Sequence, residues 1–325
     1  MIVPLLILCA VLVASVHLDA SGSHIAPVLL GMALTQGAVL VVAAAELSNA
    51  KWIKPVKRPL LALAPLMFVF PLLVRLAPYP WLAHETRWLR GDFFLARNIA
   101  GLLLLAVVGN VFRKASLAES AASRKWAVGY ILTFVTIKTM VAVDWTMSFD
   151  YPWISTMFPA LYMIECVYAG LALVGIICFV QERDNPGSAG STVYDGASLF
   201  FGFALFWGGL FYAQYLTIWY GNIPEEVHYF TRRFALPGGK MFFTLSILLL
   251  FAVPFITLLI HKARHSTQVF FFLVHMVLIG LMLHRVFHIF PHIRLDIGFL
   301  AIEAVAMLGA VAFALRNRMY EKEIS

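Results

Sequence analysis

The chain has 325 residues, 62% of them hydrophobic and only 13% charged, with a mean hydropathy of +0.86. This composition excludes an ordinary soluble domain and points to an all-α polytopic membrane protein, because long apolar segments in lipid must satisfy their own backbone groups. The net charge of +7 would suit a nucleic-acid partner if it formed one surface, but the charges sit in loops between apolar segments and set topology instead; no nucleic-acid partner is expected.

Ten apolar segments follow one another, at about 2–16, 25–45, 59–77, 93–112, 126–143, 153–180, 197–219, 240–260, 269–289 and 297–315. The first has the length of a signal-peptide core. It lacks a basic stretch before it and a clear small-x-small site after it, so it is expected to be a retained span. The cysteines Cys9, Cys166 and Cys178 lie inside apolar segments without a CxxC pair, which indicates neither a disulfide framework nor a thiolate metal site.

Loop charge gives an orientation. With the N-terminus in the cytoplasm, the loops on that side and the C-terminal tail hold 14 of the 24 Lys and Arg residues, among them Lys51, Lys54, Lys57, Arg58, Arg124 and Lys322. The opposite loops and adjacent helix ends hold 8, among them Arg75, Arg87, Arg232 and Arg233. The bias places both termini inside and the Asp144 loop on the periplasmic side of a bacterial cytoplasmic membrane. Residues 181–196, QERDNPGSAGSTVYDG, have linker chemistry. They divide one integral membrane domain, 1–325, into front helices 1–180 and back helices 197–315, with a tail at 316–325. A repeat between spans two to five and six to nine is too weak to read from sequence.

Polar residues that lipid should exclude mark the candidate site. The stretch DWTMSFDYPWIST carries Asp144 and Asp150 among interfacial aromatic rings. With a helix beginning near Trp153, Glu165 lies roughly 18 Å along it, near the bilayer midplane, with Tyr162 on the same face. Lys138 lies about 9 Å inside the fifth span and is the expected partner of Glu165 in a buried proton-holding pair. Arg97 begins the fourth span, Gln214 lies near the outer end of the seventh, and Glu303 sits roughly 9 Å into the tenth. The seventh loop, AQYLTIWYGNIPEEVHYFTRR, brings Glu225 and Glu226 beside an aromatic belt; they equally suit the first turn of a helix. His284 and His288 are one turn apart at the outer end of the ninth span, where anchoring, proton transfer or quinone contact would each use them. His275 is the one histidine deep in a span and has no evident partner, so haem ligation is not expected.

Three of these runs, DWTMSFDYPWIST, FYAQYLTIWYGNIPEEVHYFTRR and HETRWLRGDFFLARN, resemble the quinone-binding subunit 2 family, membrane components of bacterial alternative complex III that are similar to polysulfide-reductase-type (NrfD-like) membrane subunits. The IPEE run after a WY pair is the most specific part, and the resemblance spans about 25–315. Where the family commonly has a histidine after an Asp-Pro-like turn, this chain has Tyr151-Pro152-Trp153. The resemblance implies about ten helices arranged as two four-helix bundles with peripheral helices. It implies partners too: a second NrfD-like subunit, an iron–sulfur protein, c-type cytochromes and a terminal oxidase. The complex would oxidise a quinol such as menaquinol, with the iron–sulfur clusters and haem c carried by the partners. On that footing Asp144, Glu165, Lys138, Glu225, Glu226, Asp150 and Glu303 are candidates for proton transfer, and Arg97, Tyr162, His284 and His288 for quinone contact; no residue is assigned as catalytic or as a metal ligand. A standalone proton or ion transporter and a purely structural assembly subunit are the alternatives.

Overall fold

The computed structural model describes residues 3–76, 79–83 and 86–320, without the side chains of Ala83 and 317–320. His84 and Glu85 of the motif before the fourth span, and Lys322 of the tail, lie outside the described residues. Thirteen helices follow in order: α1 (Val3–Leu18), α2 (Ile25–Leu47), α3 (Lys54–Leu61), α4 (Gly91–Leu117), α5 (Ser123–Trp145), α6 (Met157–Asp184), α7 (Gly190–Gly221), α8 (Pro224–Ala235), α9 (Gly239–Ile247), α10 (Val253–Leu259), α11 (His261–Arg264), α12 (Thr267–Ile289) and α13 (Ile297–Tyr320). Short 3-10 segments and one π-helical turn complete them, and there is no strand among the described residues. Eight elements are long and apolar enough to cross a membrane, or nine when the bent segment through α3 is counted. The expected first span is shorter than these: α1 has 16 residues and lies against α13.

The third segment is not one straight span. α3 is followed by a 3-10 stretch, Ala64–Leu73, and the two are bent by 47°. Pro55, Pro59, Pro65 and Pro71 explain the break, since each removes an amide donor and its ring crowds the preceding turn. The segment still crosses. At one end Lys57 Nζ donates to the Ser116 carbonyl at 2.9 Å, and at the other Arg75 donates to the Asp19 carbonyl at 2.7 Å. Chain polarity therefore alternates as the loop charges require. We call outer the face that holds Asp19, Arg75, Asp144 and Asp150, and inner the face that holds Glu46, Lys57 and Ser123.

Two four-helix groups form the body. α2, the bent α3 segment, α4 and α5 pack together, and so do α6, α7, α9–α10 and α12. Their first helices, α2 and α6, run in the same direction and make the most extensive contact in the molecule. That contact depends on two glycines. A Cβ on Gly37 would stand 1.8 Å from the Cys166 carbonyl oxygen, and one on Gly170 2.4 Å from the Gly37 carbonyl oxygen. Small residues are what let helix backbones meet this closely in lipid. Nearly all of α2 is buried as a result, with α13 and α12 covering its remaining side.

Two boundaries differ from expectation with consequences for the site. α6 begins at Met157, not near Trp153, because Pro152 and the turn around it precede the helix. The linker 181–196 is mostly helical: α6 runs to Asp184 and α7 starts at Gly190, while the Glu182 carboxylate accepts from the amides of Gly187 (2.7 Å) and Ala189 (3.2 Å).

Candidate functional site

Glu165 lies on α6, eight residues from its start, which puts it about 12 Å along the helix rather than the roughly 18 Å expected. It is fully buried in the second bundle, and its partners come from α12 and α7. His284 Nδ1 lies 2.5 Å from Oε1, Arg285 Nη2 lies 3.2 Å from Oε2, and Trp207 Nε1 donates to Oε1 at 3.3 Å. The expected Lys138–Glu165 ion pair is not formed. Lys138, on α5 of the first bundle, is buried beside the Cys166 thiol, 6.0 Å from the centre of the Tyr162 ring, without a well-aligned hydrogen bond of its own. It reaches the edge of the cluster from across the bundle interface.

His284 and His288 are not interfacial anchors. Both are buried, and they face the cluster because residues four apart share a helix face. Their rings stand edge to face with centroids 4.3 Å apart. His288 Nδ1 meets the Tyr229 hydroxyl at 2.5 Å, so α8 closes the cluster from the outer side. The Nε2 atoms of both histidines, Arg285 Nε and Lys138 Nζ are buried without a direct hydrogen-bond partner. An imidazole that is bonded at one nitrogen and free at the other can pass a proton through its ring.

Above Tyr229 stands a second ion group. Arg233, on α8 and fully buried, donates to both oxygens of Asp150 at 3.1 and 2.7 Å, and to the carbonyls of Phe287 (3.0 Å), Tyr229 (2.8 Å) and His288 (2.5 Å). Its guanidinium also lies 3.8 Å from the centre of the Tyr229 ring. His292 Nε2 is 2.9 Å from Asp150 Oδ1, both side chains buried just below the outer surface. Burial holds the His292 imidazole below its ordinary titration range, against the opposing pull of the Asp150 carboxylate. From outer surface to core the groups therefore run His292, Asp150, Arg233, Tyr229, His288, His284, Glu165, with Arg285 and Lys138 beyond.

The inner half is different in kind. Tyr130 is buried with its hydroxyl donating to the Gln36 carbonyl at 2.9 Å, and Tyr168 donates to the Leu250 carbonyl at 3.1 Å. Both hydroxyls are spent on backbone, amid Phe112, Phe134 and Phe200. Toward the inner face Glu46 is paired with Lys57 at 2.8 Å.

The other expected residues are placed elsewhere. Asp144 and Arg97 meet each other, at 2.6 Å, and Asp144 also accepts from Trp88 Nε1 (2.9 Å) and Asn98 Nδ2 (2.8 Å). Arg97 lies 4.0 Å from the Trp88 ring centre. This fully satisfied group fastens α4 to α5 at the outer face. Tyr162 is at the cluster's edge, its hydroxyl 2.8 Å from Thr146 Oγ1. Glu303 is buried between α13 and α1, accepting from Ser15 Oγ at 3.1 Å. Glu225 is exposed and Glu226 half-buried in the first turn of α8, where they face the helix N-terminus and take no part in the buried group. Gln214 is buried near the outer end of α7.

Sequence reading missed Arg285, Trp207, Arg233 and His292. The signal available was the run His284-Arg285-x-x-His288 inside an apolar helix, three basic groups that need a carboxylate within one turn of depth. No protein-family model matches this chain, and no curated protein sequence matches it. The geometry therefore stands alone: a carboxylate buried among His, Arg and Lys, with a run of polar groups leading from it toward the outer side.

Proposed function

We propose that this chain is a membrane subunit of a quinol-oxidising electron-transport complex of the alternative complex III (NrfD-like) kind, located in a bacterial cytoplasmic membrane, and that its part is to hold and move protons. The observation that carries this reading is the Glu165–His284 contact at 2.5 Å, with His288 in ring contact beyond it, Tyr229 bonded to His288, and the Arg233–Asp150 pair against the Tyr229 ring. Quinol oxidation releases protons on the outer side of the membrane. A carboxylate held 12 Å or so below that face and linked to it by imidazoles suits their reception and discharge. In this reading Glu165 is the proton-holding group and His284 exchanges the proton with it. His288 and Tyr229 pass it outward, while Arg285 and Lys138 offset the buried negative charge. The redox centres belong to partner subunits, and a quinone headgroup would meet Tyr162, His284 or His288 only from within the second bundle.

Purification through a C-terminal tag in gentle detergent, read by optical spectrum and mass spectrometry, tests the complex: c-type haem bands with an iron–sulfur partner are expected. Glu165→Gln in that preparation, reconstituted in vesicles, tests the role: quinol-driven proton release should fall while the subunits remain assembled. A standalone proton transporter is the second reading, favoured by the self-contained cluster and by the broken α3 segment. It predicts a colourless single-component preparation that moves protons in vesicles without quinol.

A further inference from the structure

Between the two bundles an apolar cleft of ≈ 550 Å³ runs from Met163 and Ile164, at the depth of Glu165, toward the inner surface. α5 of the first bundle and α7 of the second form its sides, with Phe134, Val135, Leu199 and Phe203, and α2 and α6 form its floor, with Leu40 and Val167. It follows α2 from Leu40 to Ser48, about 12 Å at helical rise, and ends at Ala50 and Trp52. Ala45 and Ala50 also line a second pocket of ≈ 500 Å³ on the inner surface, whose other walls carry Lys51, Lys54, Lys57 and Arg124 with Glu46 and Glu119.

The charges in this second pocket do not cancel. Glu46 is taken up by Lys57 at 2.8 Å and by the hydroxyls of Ser116 and Ser123. Arg124 donates to the Asn49 side chain, and Lys51 and Lys54 are exposed; among the described residues none of the three has a carboxylate partner. Three cations against the single carboxylate of Glu119 therefore face a chamber that shares Ala45 and Ala50 with a hydrocarbon-lined cleft, and the Trp52 indole lines that end of the cleft, as an indole prefers the membrane–water boundary.

We infer that the two pockets form one site for an anionic phospholipid, an acyl chain lying in the cleft between the bundles and the phosphate meeting Lys51, Lys54 and Arg124. Each half alone fits other ligands. A soluble phosphate would use the cations and leave the cleft unfilled, and a quinone would fill the cleft without needing the cations. A zwitterionic lipid brings its own cation into a chamber already in positive excess. Only an amphiphile with net negative charge uses both halves, and basic pockets at the ends of transmembrane helices recognise such headgroups. The site lies at the bundle interface: its cleft begins at Met163 and Ile164, beside Glu165 on α6, and its charged end is at the inner surface, so its occupant would join the two bundles along that interface.

Native mass spectrometry of the purified full chain in neutral detergent, titrated with phosphatidylglycerol or phosphatidylcholine, tests this. Phosphatidylglycerol should be retained in preference to phosphatidylcholine, and excess inorganic phosphate should not displace it. Lys51→Gln/Lys54→Gln should weaken phosphatidylglycerol binding about tenfold and leave phosphatidylcholine binding unchanged. Ala44→Phe, which fills the cleft and leaves every cation in place, should also abolish retention; Leu199→Trp fills it from α7 if the first variant does not fold. Equal retention of the two lipids overturns the proposal. So does displacement by inorganic phosphate, which would leave a phosphate site only, or full retention in both cleft-filling variants, which would leave adsorption to a basic surface only. Wild-type melting temperature in each variant scored keeps these outcomes apart from misfolding.

Discussion

Arg285→Met is the most informative perturbation of the buried cluster. Arg285 is wholly buried, lies 3.2 Å from Glu165 Oε2 and anchors Nη1 on the Leu281 carbonyl at 2.9 Å. Methionine keeps much of the side-chain volume, so the loss is of charge and hydrogen bonds rather than of packing. Removing one partner of a buried ion pair strands the other and typically costs about 3–5 kcal/mol. His284 and Trp207 still contact Oε1, and Lys138 remains in the same field, so the lower end, about 3 kcal/mol, applies here. For a chain of this size that corresponds to a fall in melting temperature of about 4 °C. Glu165→Gln strands Arg285 in turn and should cost a similar amount. The double variant strands neither, and its loss should be smaller than the sum of the singles by about 2 kcal/mol, a coupling expected of residues in direct contact. Unfolding in mixed micelles, with the four proteins compared in one cycle, measures this. If the double variant lost the full sum of the singles, the pair would not be coupled, and the cluster would lose its standing as a single proton-holding unit.

His288→Phe preserves the ring packing on Phe158 and Tyr162 but removes the nitrogen that meets Tyr229, so proton release in vesicles should slow by about a hundredfold or more, while the stranded Tyr229 hydroxyl costs about 1–3 kcal/mol; an unchanged rate would remove His288 from the route. Gly170→Ala places a Cβ 2.4 Å from the Gly37 carbonyl oxygen and must push α2 and α6 apart, so a clear loss of thermal stability is expected, and wild-type melting would refute the glycine contact. At the outer end of α2, Asp19 accepts from the His24 ring and amide at 2.9 Å. Burial alone would raise its titration, but these bonds and those from Ser21 override burial and hold the carboxyl below its usual range, while burial keeps the His24 imidazole below its own. Both shifts favour the folded state above the ordinary values, about 6.5 for histidine and 4 for aspartate, and both contributions are lost as pH falls through the lowered folded values. Melting followed from pH 7 to pH 3 should therefore decline in two windows, and Asp19→Asn should flatten the lower one.

Most of the architecture is legible in the sequence because lipid imposes it. Apolar run length gave the crossings, and loop charge gave an alternation that the bent third segment preserves. The prolines at 55, 59, 65 and 71 were there to forecast the bend. The site was legible only in part. Glu165 stands out as a carboxylate in an apolar helix, but its partners lie more than a hundred residues away on α12, and no local pattern says which helices will face each other. Lys138 seemed the natural partner because it precedes Glu165 by one span; in the fold it reaches the cluster from the other bundle. The misplaced start of α6 carried Glu165 to the midplane, which hid that His284, five residues from the end of its own helix, lies at the same depth.

The one-sidedness of the buried groups has an electrical meaning. With hydrocarbon about 30 Å thick and Glu165 about 12 Å along its helix, a proton brought from the outer face to that carboxylate crosses roughly two-fifths of the transmembrane field. One elementary charge moved through the whole field is worth about 2.3 kcal/mol per 100 mV, so this movement is worth about 0.9 kcal/mol per 100 mV. Charge displacement at Glu165 would then load part of the membrane voltage, and a capacitive current would be its signature.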